Sequence, residues 1–172
     1  MPAEPPQPGP SVDATPPRRT WVVELQNPCR YPEVRFRHLR PWVEPLVAAL
    51  APAATSLTLR FVSDREMRRL NATWRHKDKT TDVLSFPGDL DDADDGDDIF
   101  ADPEAGGHLG DIAISVPTAR RQAEGRGGDL DRELRILILH GILHCLGYDH
   151  ETDDGTMERL EQDLRAQWID HG

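Results

Sequence analysis

The sequence predicts a mixed fold, of the α/β or α+β class, in which helices cover a small mixed sheet. Three observations support this class. Short strand patterns alternate with helix patterns in the first part of the chain. Two further helix patterns follow at its C-terminal end. The length of 172 residues suffices for one domain with a core, and it is short for two.

The N-terminal segment predicts a tail outside the folded domain. Residues 1–19 hold seven of the fifteen prolines and no apolar stretch of the kind found in secretory signals. We therefore expect a disordered, proline-rich tail over 1–19 and a single domain over 20–172, with ordered structure beginning near Trp21. No apolar run approaches the ~18 residues of a membrane span. Cys29 and Cys145 lie far apart in the sequence and do not form a disulfide framework. This cysteine usage favours a location in the reducing cytoplasm.

The first elements are a strand and a proline-containing helix. Residues 21–27 begin with β-formers and stop before a proline, which predicts a strand. An apolar stripe with three- and four-residue steps then predicts a helix; its members are Leu39, Trp42, Val43, Leu46, Val47 and Leu50. Pro41 suits the first turn of this helix. Pro45 lies in its interior and lacks an N–H, so a late start or a kink is expected.

A second strand and a capped helix follow. Residues 56–63 alternate apolar and polar side chains, which predicts a strand. Ser63 and Glu66 have the spacing of a capping box at the start of the next helix. The buried face of that helix is predicted to carry Met67, Leu70 and Trp74. Its arginines Arg65, Arg68 and Arg69 lie off this stripe and are expected to face water.

The remaining elements are two strands and three helices. Residues 81–87 and 110–117 read as strands, and the second leads into a short helix that ends near the glycines at 125–128. The next helix, with Asp129 or Asp131 as its cap, is apolar nearly all round, which predicts a helix buried in the core. Gly147 stands where its C-terminal cap belongs. A last amphipathic helix spans 157–168.

Charge is distributed unevenly along the chain. The net charge of −11 by itself argues against a nucleic-acid partner, but residues 89–104 carry nine acids and no base. We interpret this acidic segment as a solvated loop in preference to a cation site. Residues 60–79 hold seven Lys or Arg against three acids, so a basic strip precedes the acidic segment.

Three histidines near the C-terminus, in the stretch HGILHCLGYDH, predict a metal site. His140 and His144 are four residues apart, so they project from one face of a helix and can share an ion. Gly147 can end the helix and let His150 return as a third ligand. Three imidazole ligands that leave the fourth coordination position open are typical of catalytic zinc, although other divalent transition metals fit the same ligands. Cys145 is expected to pack as a small apolar residue.

Gly141 argues against one hydrolytic mechanism. The histidine spacing equals that of the metzincin zinc proteases, in which a glutamate follows the first histidine and activates water. Here Gly141 takes that position and cannot accept a proton, which disfavours the usual route of peptide hydrolysis. A glycine within a helix costs ~1 kcal/mol relative to alanine, so room for a substrate or a neighbouring backbone is expected there.

These residues resemble a known family. HGILHCLGYDH is similar to the HGxLHLxGYDH signature of the YbeY family of bacterial endoribonucleases, and residues 71–87 and 109–115 match its other two blocks in the same order. The resemblance covers roughly residues 57–168. It implies a metal-dependent, single-strand-specific endoribonuclease that acts in ribosomal RNA maturation, including the 3′ end of 16S rRNA, and in ribosome quality control. It also implies an α+β, zincin-like fold with a four-stranded sheet and about five helices.

The resemblance also implies roles for individual residues. One zinc ion per chain would be held by His140, His144 and His150, with Arg75 as the arginine near the metal. A guanidinium there can bind a phosphodiester and stabilise the added charge of its transition state, although Arg75 also reads as a surface cation after a helix. Asp82 is either a turn cap or a partner of a metal ligand. The residues expected to guide RNA are Arg65, Arg68, Arg69, Lys77 and Lys79.

Two other functions remain open from the sequence. One is a zinc peptidase-like metal hydrolase, suggested by the ligand spacing. The other is a non-enzymatic ribosome-assembly factor whose zinc only stabilises the fold. The expected partners are single-stranded or ribosomal RNA and small-subunit ribosomal proteins, without a membrane. The acidic segment at 89–104 departs from the family pattern, and it would repel RNA if it lay close to the cleft.

Overall fold

A computed structural model describes residues 21–89, 107–149, 152 and 154–170. The proline-rich segment 1–19 and nearly all of the acidic segment lie outside the described residues, so the predicted tail and domain boundaries stay predictions. The described part of the chain holds four strands and five helices. In chain order they are β1 Val22–Gln26, α1 Phe36–Leu50, β2 Ala54–Val62, α2 Asp64–Arg75, β3 Val83–Pro87, β4 Gly107–Ser115, α3 Val116–Gly125, α4 Leu130–Cys145 and α5 Thr156–Trp168.

The four strands form one mixed sheet in the order β1-β2-β4-β3. The pairs β1-β2 and β2-β4 are parallel, whereas β3 runs antiparallel to β4. In β2 the alternating residues Leu57, Leu59 and Phe61 are all fully buried, as their pattern predicts. The α+β class and the mixed four-stranded sheet with five helices are therefore confirmed. No helix in the described ranges is long and apolar enough to cross a bilayer.

Helix α4 lies directly against the sheet because Gly141 has no side chain. A Cβ on Gly141 would lie 2.8 Å from Ile112 Cγ2 on β4 and 3.1 Å from Ser85 Oγ on β3. The reason for this mid-helix glycine is thus the close approach of two sheet side chains, not of a substrate or a backbone. As predicted, most of α4 is buried in the core. This contact fixes the position of the histidines in its last turns.

Helix α1 differs from its prediction at its start. It begins at Phe36, and both Pro41 and Pro45 lie inside it, so the late start and the first-turn position of Pro41 are wrong. All of the predicted stripe except Leu50 is buried. Burial of this stripe outweighs the cost of two prolines, because tertiary packing contributes more to helix stability than local preference does.

Helix α2 is capped as predicted but buries a different face. Ser63 Oγ accepts a hydrogen bond from the Glu66 N–H, and Met67 is fully buried. The prediction that Trp74 is buried is wrong, since its side chain is 63% exposed and touches Phe86 edge-on. Instead Asn71 is buried. The buried face of α2 thus runs through Met67 and Asn71.

Candidate active site

The last two turns of α4 carry the first two predicted metal ligands. The Nε2 atoms of His140 and His144 lie 3.1 Å apart, and the ring centroids are separated by 4.6 Å. Both rings therefore present the same nitrogen to one point, as the four-residue spacing predicts. Two nitrogens bound to one tetrahedral zinc at ~2.1 Å would lie roughly 3.4 Å apart, so the donor atoms fit a shared ion.

The third predicted ligand, His150, lies outside the described residues. The chain leaves α4 toward it through a Schellman turn, in which Gly147 has φ +91°. The Tyr148 N–H donates to Leu143 O at 3.1 Å, and the Gly147 N–H donates to His144 O at 3.0 Å. Gly147 thus ends the helix as predicted. Within the described ranges alone, no group of three or more His, Cys, Asp or Glu forms a metal site.

A carboxylate from α5 contacts His140 at Nδ1, the ring nitrogen that does not face His144. Glu161 Oε2 lies 3.1 Å from His140 Nδ1, and Arg165 donates to Glu161 Oε1. Burial acts to raise the pKa of Glu161, but the hydrogen bonds from His140 and Arg165 outweigh it and lower the pKa. Glu161 is therefore an ionised hydrogen-bond acceptor at neutral pH.

Sequence reasoning missed Glu161, although the chain carries a signal for it. The apolar stripe of α5 includes Met157 and Leu164, and Glu161 stands four residues after the first and three before the second. It therefore lies on the buried face of the helix, where it is only 8% exposed. An acid on such a face needs a partner, but the sequence does not say which one.

The histidines open onto a cleft of about 550 Å³. Arg75, Lys77 and Lys79 line the same cleft, which also receives Tyr148 and Asp149 from the turn after α4. The structure thus brings three of the predicted RNA-contacting cations together with the histidine pair. The cations come from the end of α2 and from the loop that follows it.

Asn71 holds this loop against the helix. Its side-chain amide donates to Lys79 O at 2.8 Å, while its backbone carbonyl accepts from the Lys77 N–H at 3.2 Å. His76 ends α2 with a positive φ of 56°, which turns the chain back. Asn71 also lines the cleft and was not predicted as a site residue. Its position on the helix face expected to be buried was the available signal.

Asp82 has the geometry of a turn cap. Its Oδ1 accepts from the Val83 N–H at 2.8 Å, and its Oδ2 accepts from Gln122 Nε2 at 3.0 Å. The cap is the alternative that these contacts support. Because Asp82 also lines the cleft, its carboxylate adds negative charge to a lining that also carries Arg75 and two lysines.

The other three predicted RNA-binding arginines are not brought to this cleft. Arg68 forms a two-pronged ion pair with Asp78 at 2.7 Å, and Arg69 forms another with Glu66. Arg65 and Arg68 line a second groove, and Lys79 is the one described residue that borders both this groove and the cleft. All three are exposed, as the sequence predicts. Neighbouring acids partly neutralise the charges of Arg68 and Arg69, and this weakens the attraction of these two arginines for a phosphate backbone.

Cys145 lies in the hydrophobic core next to the histidines. Burial, with a smaller contribution from Asp111, raises the pKa of its thiol to about 12. Metal ligation requires the thiolate, so this protonated thiol packs as an apolar group. The fit is tight, since a Cβ on Gly110 would lie 2.8 Å from Cys145 Sγ. Packing is therefore its role in the structure, as the sequence predicts.

Comparison with known proteins gives the family. The family model described as endoribonuclease YbeY matches residues 26–168. A curated endoribonuclease YbeY from Picosynechococcus is 46% identical over 148 residues, which cover 81% of this chain and 86% of the relative. Another from Pseudomonas fluorescens is 39% identical over 147 residues, covering 84% and 90%.

A solved structure supports the fold. The solution structure of a protein from Thermotoga maritima aligns with a TM-score of 0.54 over 87% of this chain and 93% of its own, at 21% identity. At that identity the likeness concerns the fold alone. The enzyme class predicted from the sequence, endoribonuclease, is that of the matched family. The three sequence blocks, the family model and the curated relatives agree, and the chain belongs to the endoribonuclease YbeY family.

Proposed function

We propose that this chain is a zinc-dependent, single-strand-specific endoribonuclease that acts in ribosomal RNA maturation, including the 3′ end of 16S rRNA, and in ribosome quality control. One observation carries the proposal. Arg75, Lys77 and Lys79 line the same cleft as His140 and His144. A phosphodiester needs cations around the reacting phosphate, and a metal site needs converging nitrogens. This cleft offers both.

In this proposal each group of cleft residues has a separate role in RNA cleavage. His140, His144 and His150 would hold one zinc ion, which when bound supplies a Lewis acid for the phosphodiester. The Arg75 guanidinium binds the nonbridging oxygens in a two-pronged contact and stabilises the charge added in the transition state. Lys77 and Lys79 attract the backbone on either side and hold the strand in the cleft. The zincin-like character of the fold is part of this proposal, as are a cytoplasmic location and contacts with small-subunit proteins.

The packing at Gly141 favours a nuclease over a zinc peptidase. In metzincins the residue after the first histidine is the glutamate that activates water. Here that position faces Ile112 and Ser85, with no space even for a Cβ. A peptidase mechanism would require a different carboxylate in that role, whereas the cations of the cleft suit a phosphodiester.

The test compares RNA cleavage by the wild type and two histidine variants. Zinc-loaded wild type should cut single-stranded RNA and a 16S fragment with its unprocessed 3′ end, but not a duplex of the same sequence. His144→Ala should lose this activity, since one metal ligand is gone. His38→Ala, which removes an exposed histidine of α1, should retain it.

Three outcomes separate the alternatives. If His144→Ala cut RNA as fast as the wild type, the nuclease activity would have to come from elsewhere, and the proposal would fail. If metal-free protein cut as fast as zinc-loaded protein, the zinc dependence alone would fail. An assembly factor is favoured instead if zinc removal lowers the melting temperature while the zinc-loaded protein cuts no RNA.

A further inference from the structure

Glu161 is a buried acid in a helix face that otherwise packs into the core. Its neighbours on that face, Met157 and Leu164, are 0% and 8% exposed. Burying a carboxylate is costly, and replacing a buried ion pair with apolar residues is often neutral or stabilising. Stability therefore gives little reason for an acid at this position. The contact that Glu161 makes with His140 offers a functional reason.

That contact determines which nitrogen of His140 faces the cleft. A carboxylate only accepts hydrogen bonds, so the proton between Glu161 Oε2 and His140 Nδ1 sits on the nitrogen. In the neutral ring the lone pair is then on Nε2. This is the atom that lies 3.1 Å from His144 Nε2, at the point where the two rings converge.

The carboxylate is itself held in place from several directions. Arg165, one turn further along α5, donates to its other oxygen, Oε1. The end of α5 is fixed to the core by a 2.8 Å hydrogen bond from Trp42 Nε1 to Trp168 O. Arg132 of α4 also pairs with Asp170, just beyond α5. Helix α5 is thus joined to α4 and α1, and the carboxylate has little freedom to leave the imidazole.

We propose that Glu161 is a positioning residue for the metal ligand His140: it fixes the ring orientation and keeps the Nε2 lone pair directed at the ion. This inference rests on the proposed function, because it takes His140 to be a zinc ligand. Carboxylates in such positions also make the imidazole a stronger donor, and their loss typically costs about 10- to 100-fold in metal affinity. Arg165 supports the same geometry one step further from the metal.

Metal binding, measured without any RNA, tests the proposal. Zinc affinity of the full chain would be obtained by competition with a chromophoric chelator, and Co²⁺ would serve as a spectroscopic probe of the ligand geometry. Glu161→Ala is expected to weaken zinc binding about 10- to 100-fold and to change the Co²⁺ absorption bands. Glu161→Gln keeps the shape and an accepting oxygen but loses the charge, so its affinity should lie between those of Glu161→Ala and the wild type.

Glu133 provides a matched control. It is also a buried acid, 3% exposed, and is paired with an arginine, Arg126, at 2.8 Å. Its described hydrogen bonds go to Arg126 and not to either histidine. Glu133→Gln should therefore lower stability in a comparable way while zinc affinity and the Co²⁺ spectrum stay unchanged. If Glu161→Ala does not fold, the comparison of Glu161→Gln with Glu133→Gln decides the question.

The failure of this proposal can be told apart from the failure of the proposed function. If the wild type binds zinc and both Glu161 variants bind it equally well, with the same Co²⁺ spectrum, the positioning role is wrong and the zinc site stands. Equal losses in Glu161→Gln and Glu133→Gln would also overturn the role, since the effect would then be one of stability. If the wild type binds no zinc, the zinc dependence proposed above falls and this inference falls with it.

Discussion

Gly141 of α4 and Ile112 of β4 approach so closely that a Cβ on the glycine would lie 2.8 and 2.9 Å from two carbons of the isoleucine. We expect Gly141→Ala to destabilise the protein. Alanine gains up to ~1 kcal/mol in helix preference, whereas overpacking a core typically costs about 1–3 kcal/mol. The difference is a net loss of up to about 2 kcal/mol in the free energy of unfolding, measured by urea denaturation. If α4 moved away from β4 to make room for the methyl group, His140 on the same helix would shift as well.

Gly125→Ala is the control for this substitution. Gly125 ends α3, and a Cβ there would meet nothing within 4 Å. This variant should be as stable as the wild type or slightly more stable, since the gain in helix preference is not offset. Equal stabilities of the two variants would show that the sheet yields to the added methyl group.

Arg75 should contribute to RNA cleavage rather than to folding or metal binding. Arg75→Ala is expected to lower kcat/KM for a single-stranded RNA by roughly 10²- to 10³-fold, the usual cost of losing a donor to the transition state. Arg75→Lys should recover only part of this, because an ammonium cannot make the two-pronged contact. Zinc content and melting temperature should not change. An unimpaired Arg75→Ala variant would place Arg75 among ordinary surface cations.

The two lysines of the cleft should set the salt dependence of RNA binding. Removing one phosphate contact reduces the slope of log Kd against log salt concentration by about 0.7 for a single strand. We expect Lys77→Ala and Lys79→Ala each to show such a reduction by fluorescence anisotropy. Arg69→Ala, on the outer face of α2 and paired with Glu66, should leave the slope unchanged. A reduced slope for Arg69→Ala, with no change for Lys77→Ala and Lys79→Ala, would move the RNA path from the cleft to the exposed face of α2 that carries Arg69.

Asp64 joins the start of α2 to α3, and the stability that this link contributes should be lost at low pH. Burial acts to raise the pKa of Asp64, but hydrogen bonds from Ser115, Thr118 and Arg121 outweigh it and lower the pKa below the usual value. An acid with a lowered pKa in the folded state stabilises the protein above the unfolded pKa, and this contribution is lost as pH falls through the folded value. The wild type should therefore lose this stability below about pH 4.

Asp64→Asn removes the charge and tests this link. At pH 7 the variant should be less stable by about 1–2 kcal/mol, at the low end for hydrogen bonds to a charged group, since the carboxyl is partly exposed. The difference from the wild type should shrink as the pH drops below 4 in urea titrations. Asp78→Asn, at a fully exposed ion pair with Arg68, should show no measurable change at either pH. A pH-independent difference for Asp64→Asn would mean that shape, not charge, matters there.

Features encoded by neighbouring residues could be predicted from the sequence. The cap at Ser63 and the turn at Gly147 depend on a few consecutive residues, and the structure has both. Of the two predicted candidates for the cap of α4, Asp129 is the cap and Asp131 lies in the first turn. The convergence of His140 and His144 follows from helical spacing alone. These predictions succeed because each one concerns an interaction between residues only a few positions apart in the sequence.

Features that depend on how elements dock could not be predicted from the sequence. Trp74 fits an apolar stripe, but it is 63% exposed and contacts only the edge of Phe86 among the described rings. The seven cations of the basic strip all lie within residues 60–79, yet Arg65 and Arg68 line one groove whereas Arg75 and Lys77 line another. The contact between Glu161 and His140 depends on the docking of α5 onto α4, which no local pattern specifies.

The environment of Cys145 has a practical consequence for labelling. Its thiol is buried with a pKa of about 12, whereas Cys29, the second cysteine of the chain, is exposed. A maleimide dye added at neutral pH should therefore attach at Cys29 alone, which mass spectrometry of tryptic peptides would verify. The native chain thus offers a single fluorophore position before α1, and binding of RNA could be followed by energy transfer without engineering a new cysteine.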